Sequence, residues 1–275
     1  MQHVLFDGVR ERMARAFHLV QEFEDACSAW ESEVKVSLIH SRDQGWHVWS
    51  TAPISNPPTD LAIRAGEIVH HLRSSLDLGA TAAIKANGQE PGKRASFPIA
   101  LSVQTWKSQG EEYLRGAASS VIAYIEKVQP ANTKKAHGPR GDSLALVAEV
   151  DAADKHRQLL AQGVALQTFD LNLHWVSTGQ VMRHFRQEFN DGHFMRLDTS
   201  TWFTRWFVSR NTERGVPDES GTPTLDDDYV IKTELRFTTH SPYEIDFEKS
   251  RLRIWAQYVG GVLYQLEKEV ARSVR

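Results

Sequence analysis

The stretch Asp60–Ala86, DLAIRAGEIVHHLRSSLDLGATAAIKA, decides the fold class. Ala65, Val69, Leu72, Leu76, Gly79 and Ala83 recur at three- and four-residue spacing, which puts them on one stripe of a helix. Such a stripe has to be covered, and its small residues let a neighbouring helix come close. Asn56-Pro57-Pro58-Thr59-Asp60 stops extended chain just before it and offers a cap, and Gly88 ends it.

Two further segments supply the cover. Phe6, Val9, Met13, Ala16, Val20, Phe23, Cys27 and Trp30 form a stripe near the N-terminus, and Leu252, Trp255, Val259, Val262, Leu266 and Val270 form one near the C-terminus. Both predict long bundle helices, the last from about Tyr243 to the end, packed against the first. Cys27 lies on its stripe and reads as a small buried hydrophobe rather than a nucleophile. A shorter helix, capped by Asp142 or Ser143, carries Leu146, Val150, Ala153 and Leu160.

The remaining chain has a period of two. Val34, Val36 and Leu38 face Trp46 and Val48 across Asp43-Gln44-Gly45, which predicts a β-hairpin. Between Gly92 and Gln129 lie an extended Phe97-Pro98-Ile99 piece and two short helical stretches parted by Gly116. From Phe169 to Thr239 several antiparallel strands are expected: 169–176, 181–189, 194–198, 202–208 and 229–239. An exposed loop over 211–228 carries the acidic triplet Asp226-Asp227-Asp228. The fold class is therefore α+β, with a bundle layer of the long N-terminal, second and C-terminal helices packed with an antiparallel β-sheet. A single domain over 1–275 is expected; the alternative is a mainly helical domain over 1–163 followed by a β-rich segment and last helix over 164–275.

Composition excludes several function classes. The chain has 275 residues, 41% of them hydrophobic, and a formal net charge of -3, which rules out a globally basic nucleic-acid coat. One cysteine forms neither an internal disulfide nor a thiolate zinc cluster. No apolar run reaches the length of a membrane span, and a charged helical pattern stands where a secretory leader would have its apolar core. A cytoplasmic protein without a membrane anchor or cofactor is the expectation. Neither a Walker or Rossmann phosphate loop nor a Gly-x-Ser-x-Gly elbow occurs.

Three groups of residues are candidates for chemistry. On the second helix His70, Arg73 and Asp77, with Gly66, sit about 100° from the apolar stripe and form a polar track beside a packing face. Asp154-Lys155-His156-Arg157 is the second group, in which His156 is a candidate general acid or base and Lys155 a candidate for steadying an anion. The third is a basic loop, with Lys134, Lys135 and Arg140 ahead of a helix N-terminus that favours anions. Glu67 and His70 have the i, i+3 spacing of di-metal bundles, but no second Glu-x-x-His accompanies them, so no metal site is expected.

The same residues carry a resemblance. Gly66, Glu67, His70, Leu72, Arg73, Ser74, Leu76 and Asp77, then Phe97-Pro98-Ile99, then Asp154 to Arg157, resemble a group of uncharacterised bacterial proteins. Those proteins share a Gly-acidic-x-x-His-x-Leu-Arg-Ser-x-Leu-Asp helix, a Phe-Pro-Ile segment and a later Asp-Lys-His-Arg. The resemblance covers residues 60–160 and implies a shared fold without an assigned activity. Members often carry a His after the Leu-Asp, which sets an Arg and a His at the spacing of the HEPN superfamily of helical ribonucleases; Leu78 stands there in this chain. Arg64 with His70 is the Arg-then-His pair within the resembling helix.

Two functional readings follow. In the first the chain is a binding or interaction protein whose polar groups form an internal network, with homo-oligomerisation through a bundle face. In the second it is a metal-independent, HEPN-like ribonuclease or other phosphoester-processing enzyme. There RNA would be held by the basic loop and His70, Arg73, Asp77, Lys155 and His156 would do the chemistry.

Overall fold

The computed structural model describes residues 2–43, 46–51, 55–133, 138–156, 160–175, 181–188, 195–196, 204–206, 223–225, 230–239 and 245–274. Side chains are described for 4–41, 55–133, 138–154, 160, 235–239 and 245–274. Helices α1 (Gln2–Leu5) and α2 (Asp7–Glu33) precede strands β1 (Leu38–Asp43) and β2 (Trp46–Thr51) and the long α3 (Thr59–Ala86). The short α4 (Val103–Thr105), a π-turn (Trp106–Gly110) and α5 (Glu111–Tyr113) lead to α6 (Ser119–Lys127) and α7 (Ser143–His156). Strands β3 (Ala161–Trp175), β4 (Val181–Glu188), β5 (Met195–Arg196), β6 (Thr204–Trp206), β7 (Pro223–Leu225), β8 (Val230–Thr238) and β9 (Asp246–Glu248) precede α8 (Ser250–Ser273). The fold is α+β, and no described helix is long and apolar enough to cross a membrane.

The chain divides into two compact units, neither of them continuous. One comprises Met1–Ala26, Thr59–Ala161 and Phe237–Arg275; the other comprises Cys27–Pro58 and Gln162–Arg236.

The first unit is the helical bundle. The expected stripes of α3 and α8 are buried throughout. In α2 the stripe is buried from Phe6 to Cys27, while Trp30 keeps partial exposure. Helices α2 and α8 run antiparallel: Arg10 pairs with Glu267, Arg253 Nε donates to Glu24 Oε1 at 2.9 Å, and Gly260 lies beside Met13 and Phe17. The small stripe of α3 has the role its composition implies. A Cβ at Gly79 would stand 2.6 Å from Leu263 Cδ2, so glycine is what lets α8 come this close. Tyr124 Oη of α6 donates to Val262 O at 3.0 Å, and burial pushes this phenol up to about 12.

An aromatic row completes this core. Ring centroids are 5.3 Å apart for Phe23 and Phe237, 5.7 Å for Phe237 and Phe247, and 5.0 Å for Phe247 and Trp255. Each such ring removed from water contributes about 1.5–3 kcal/mol. Phe247 corrects one expectation, since the last helix starts at Ser250 rather than near Tyr243. The chain before it is held extended as β9, where Thr239 N donates to Ile245 O and Ile245 N to Thr239 Oγ1, both at 3.0 Å.

Strands make up the second unit. The hairpin β1–β2 pairs antiparallel with Asp43 opposite Trp46, and β6 adds to it with His47 opposite Trp206. The 15-residue β3 is the spine of the other sheet: β4 pairs with it antiparallel from Thr168–Glu188 to His174–Val181, and β8 is its other neighbour. Glu31 Oε1 at the end of α2 accepts from Leu235 N of β8 at 3.2 Å. Pro223–Leu225 pairs with Leu173–Trp175, inside the stretch expected to be an exposed loop; the rest of 211–228 lies outside the described residues. Cys27 is fully buried, as its place on the stripe predicts.

Candidate functional site

The polar track of α3 runs along its contact with α7 and then along the Phe97–Ala100 segment. At its N-terminal end, Gly66 faces Asp154: an added Cβ would lie 2.6–2.7 Å from the three carboxylate atoms. Only a residue without a side chain leaves room for this carboxylate. One turn further, His70 Nδ1 is 3.3 Å from Asp151 Oδ1. The Asp151 side chain keeps 8% of its surface exposed and that of His70 47%, so the carboxylate belongs to the interior and the ring to the surface. The helix α7 explains the placement. Its buried side carries Leu144, Val147, Val150 and Asp151, whereas Leu146 and Ala153, expected on that side, are half-buried.

Arg73 and Asp77 act together on one residue. Asp77 Oδ1 accepts from Phe97 N at 2.9 Å, Arg73 Nη2 donates to Phe97 O at 3.0 Å, and Arg73 Nη2 lies 2.9 Å from Asp77 Oδ1. Both main-chain polar groups of Phe97 are thus met by side chains of α3, while its ring is fully buried. The pairing has a simple cause. Phe97-Pro98-Ile99-Ala100 belongs to no helix or strand and pairs with no strand among the described residues, so its buried amides and carbonyls need other partners. Ala100 follows the same logic: its N donates to Gln129 Oε1 at 2.8 Å, and its O accepts from Ala131 N at 2.9 Å. Gln129 Nε2 in turn donates to Ile125 O at 2.9 Å.

Three buried polar atoms have no hydrogen-bond partner among the described residues: Arg73 Nη1, His71 Nδ1 and Trp255 Nε1. Burial is the first cause that holds the His71 pKa below its ordinary value; the charges of Arg12, His70 and Arg15 add to it, and Glu67 opposes.

The other expected groups divide in two. Lys134 and Lys135 lie outside the described residues, as do the side chains of Lys155 and His156. Arg140 is described, with Nη1 at 3.4 Å from Glu149 Oε1. At the N-terminus of α7, Asp142 Oδ1 accepts from Leu144 N at 3.0 Å, so the cap fills a place where an anion would sit. Among the described residues no three His, Cys, Asp or Glu side chains are grouped as metal ligands.

No family model, curated protein or solved structure matches this chain. The site has to be read from its own geometry.

Two of the hollows of the helical unit differ sharply in chemistry. One, of about 760 Å³, is wide open and lined by Lys107, Glu111, Glu112, Arg115 and Glu126, which favour neither sign of ligand charge. The other, of about 540 Å³, is an apolar groove between α2 and α8, floored by Val9, Met13, Gly260 and Leu263. Phe17 and Tyr264 line it while keeping 37% and 62% of their surface exposed. Large exposed aromatics around an apolar hollow are the composition of an interface centre.

Sequence reasoning found Gly66, His70, Arg73 and Asp77 because they share a helix face. It missed Asp151 and Gln129. Asp151 lies off the stripe read as apolar, Leu146, Val150, Ala153 and Leu160, because the helix buries a face turned from that stripe, and Gln129 stands in a loop without periodicity, so neither leaves a pattern.

Proposed function

We propose that this chain is a binding or interaction protein, in which the charged residues of α3 organise the fold and the α2/α8 groove is the binding face. The observation that carries the reading is the grip of Arg73 and Asp77 on the two main-chain groups of Phe97. An arginine and a carboxylate engaged in this way serve a buried peptide and are not presented to a substrate. His70 has its Nδ1 toward Asp151 and the amide of Leu144 is filled by Asp142, which supports the same reading.

The alternative, a metal-independent ribonuclease using His70 and His156, is separated from this reading by one assay. A mixed pool of labelled single-stranded RNA is incubated with the protein in EDTA, beside a His70→Ala, His156→Ala variant of verified fold. The expected result is no cleavage by either. Cleavage by the wild type that the variant loses would replace the interaction reading with the nuclease reading.

A further inference from the structure

We propose that the occupant of the α2/α8 groove is a second copy of this chain, and that two copies form a four-helix bundle about a two-fold axis parallel to these helices. The proposal rests on the reading of this groove as a binding face and names its partner. Its basis is the register of the two helices. Arg10 is level with Glu267 and Glu24 with Arg253, each pair adding to 277, and Gly260 lies between them against both Met13 and Phe17. A two-fold axis along the bundle sets α2 of each copy against α8 of the other, antiparallel and at the same levels.

Bordering the groove each helix carries an exposed stripe at three- and four-residue spacing. On α2 it is Asp7, Arg10, Ala14, Phe17 and Gln21; on α8 it is Ile254, Gln257, Gly261, Tyr264 and Lys268. Brought together at the observed levels, the stripes complement each other in size. Phe17 meets Gly261 of the second copy, where a side chain would find open space, and Tyr264 meets Ala14 of the second copy. Gln21 meets Gln257 of the second copy, two amides able to bond each other. Large against small, with spacing set by 3.5 residues, is the pattern of knobs in holes.

Charge agrees with size. Lys268, which stands over the Tyr264 ring at 4.2 Å, arrives at the level of Arg10 of the second copy, between Asp7 and Glu11. Arg10 is held within its own chain by Asp7 and Glu267, so on each of the two α2/α8 seams three carboxylates meet two cations, both groups at the same end of the bundle. The two-fold makes every one of these matches twice, whereas a helix of foreign sequence would have to present small, large and basic residues at the same levels.

Sedimentation equilibrium on the full chain tests this, from about 1 to 50 μM, with wild type and Gly261→Arg. The wild type is expected at twice the monomer mass of 31.1 kDa. A Cβ at 261 meets nothing within 4 Å in the single chain and the position is exposed, so an arginine there can extend into solvent in the monomer, while the dissociation constant is expected to rise at least about a hundredfold. A second pair checks the charges: Lys268→Glu weakens the dimer and Lys268→Glu with Glu11→Lys restores it. A monomeric wild type over this range, or a dimer indifferent to Gly261→Arg, overturns the proposal. Binding of 1-anilinonaphthalene-8-sulfonate distinguishes the two failures. A monomer that binds the dye, and loses it in Gly261→Arg, removes the second copy but leaves the groove as a binding face; a monomer that binds none removes both.

Discussion

Gly66 of α3 and Asp154 of α7 touch without space for one more carbon: a Cβ on Gly66 would lie 2.6 Å from the nearest carboxylate oxygen. The contact fixes how closely the two helices approach, and it sets the level at which His70 meets Asp151 one turn along. Alanine at 66 would gain about 1 kcal/mol of helix propensity. The clash outweighs that gain, and Gly66→Ala is expected to lower stability by about 1–3 kcal/mol in urea unfolding. In an Asp154→Ala background the same change is expected to be neutral or stabilising, and additivity of the two would contradict the contact.

A second expectation concerns Gln129, which is 2% exposed and joins Ala100 N to Ile125 O. Gln129→Leu leaves a buried donor and a buried acceptor unmet, at a cost of about 2 kcal/mol. Gln129→Glu retains the acceptor for Ala100 N alone, and its loss is expected to grow as pH rises and the carboxylate ionises. Equal unfolding free energies for wild type and Gln129→Leu would contradict the bond.

His71 predicts the direction of one pH dependence. Burial, with the nearby Arg12, His70 and Arg15 charges, holds its folded pKa below the unfolded value of about 6.5. Between these two pKa values the unfolded chain binds more protons, so stability rises with pH. The contribution of His71 is therefore fully present above about 6.5 and is lost as pH falls from there through the folded pKa. Urea midpoints measured from pH 7.5 down to 5 are expected to fall less steeply in His71→Gln than in wild type. Parallel curves would show that the ring is not the group responsible.

Much of this was legible in the sequence, for physical reasons that can be named. Stripes such as Ala65–Ala83 and Leu252–Val270 are long enough for their periodicity to specify both the helix and its buried face. The turn residues mark a hairpin expected from Val34; it forms over 38–51, with Val34 and Val36 ahead of its first strand, and residue type marks the cap at Asp142. Non-local pairing was not legible: nothing in the sequence around Thr204–Trp206 says that it joins β2, with His47 opposite Trp206. Strand β9 was absorbed into the last helix because three residues carry no period of their own. For the site, the shared face of His70, Arg73 and Asp77 was visible, but that Arg73 and Asp77 both address the peptide of Phe97 was not. That peptide lies 20 residues from Asp77, and only the packed chain shows that it lacks a strand partner.

The central claim is that Arg73 and Asp77 hold the fold rather than a substrate, and the free energy of unfolding of Arg73→Ala tests it most directly. Its side chain is 17% exposed and its Nη2 bonds Phe97 O. Removing it leaves the Phe97 carbonyl unmet and takes a cation from Asp77, whose side chain is 37% exposed, so a loss of about 1–3 kcal/mol is expected, with Arg73→Lys recovering only some of it. An Arg73→Ala protein as stable as the wild type would contradict the account.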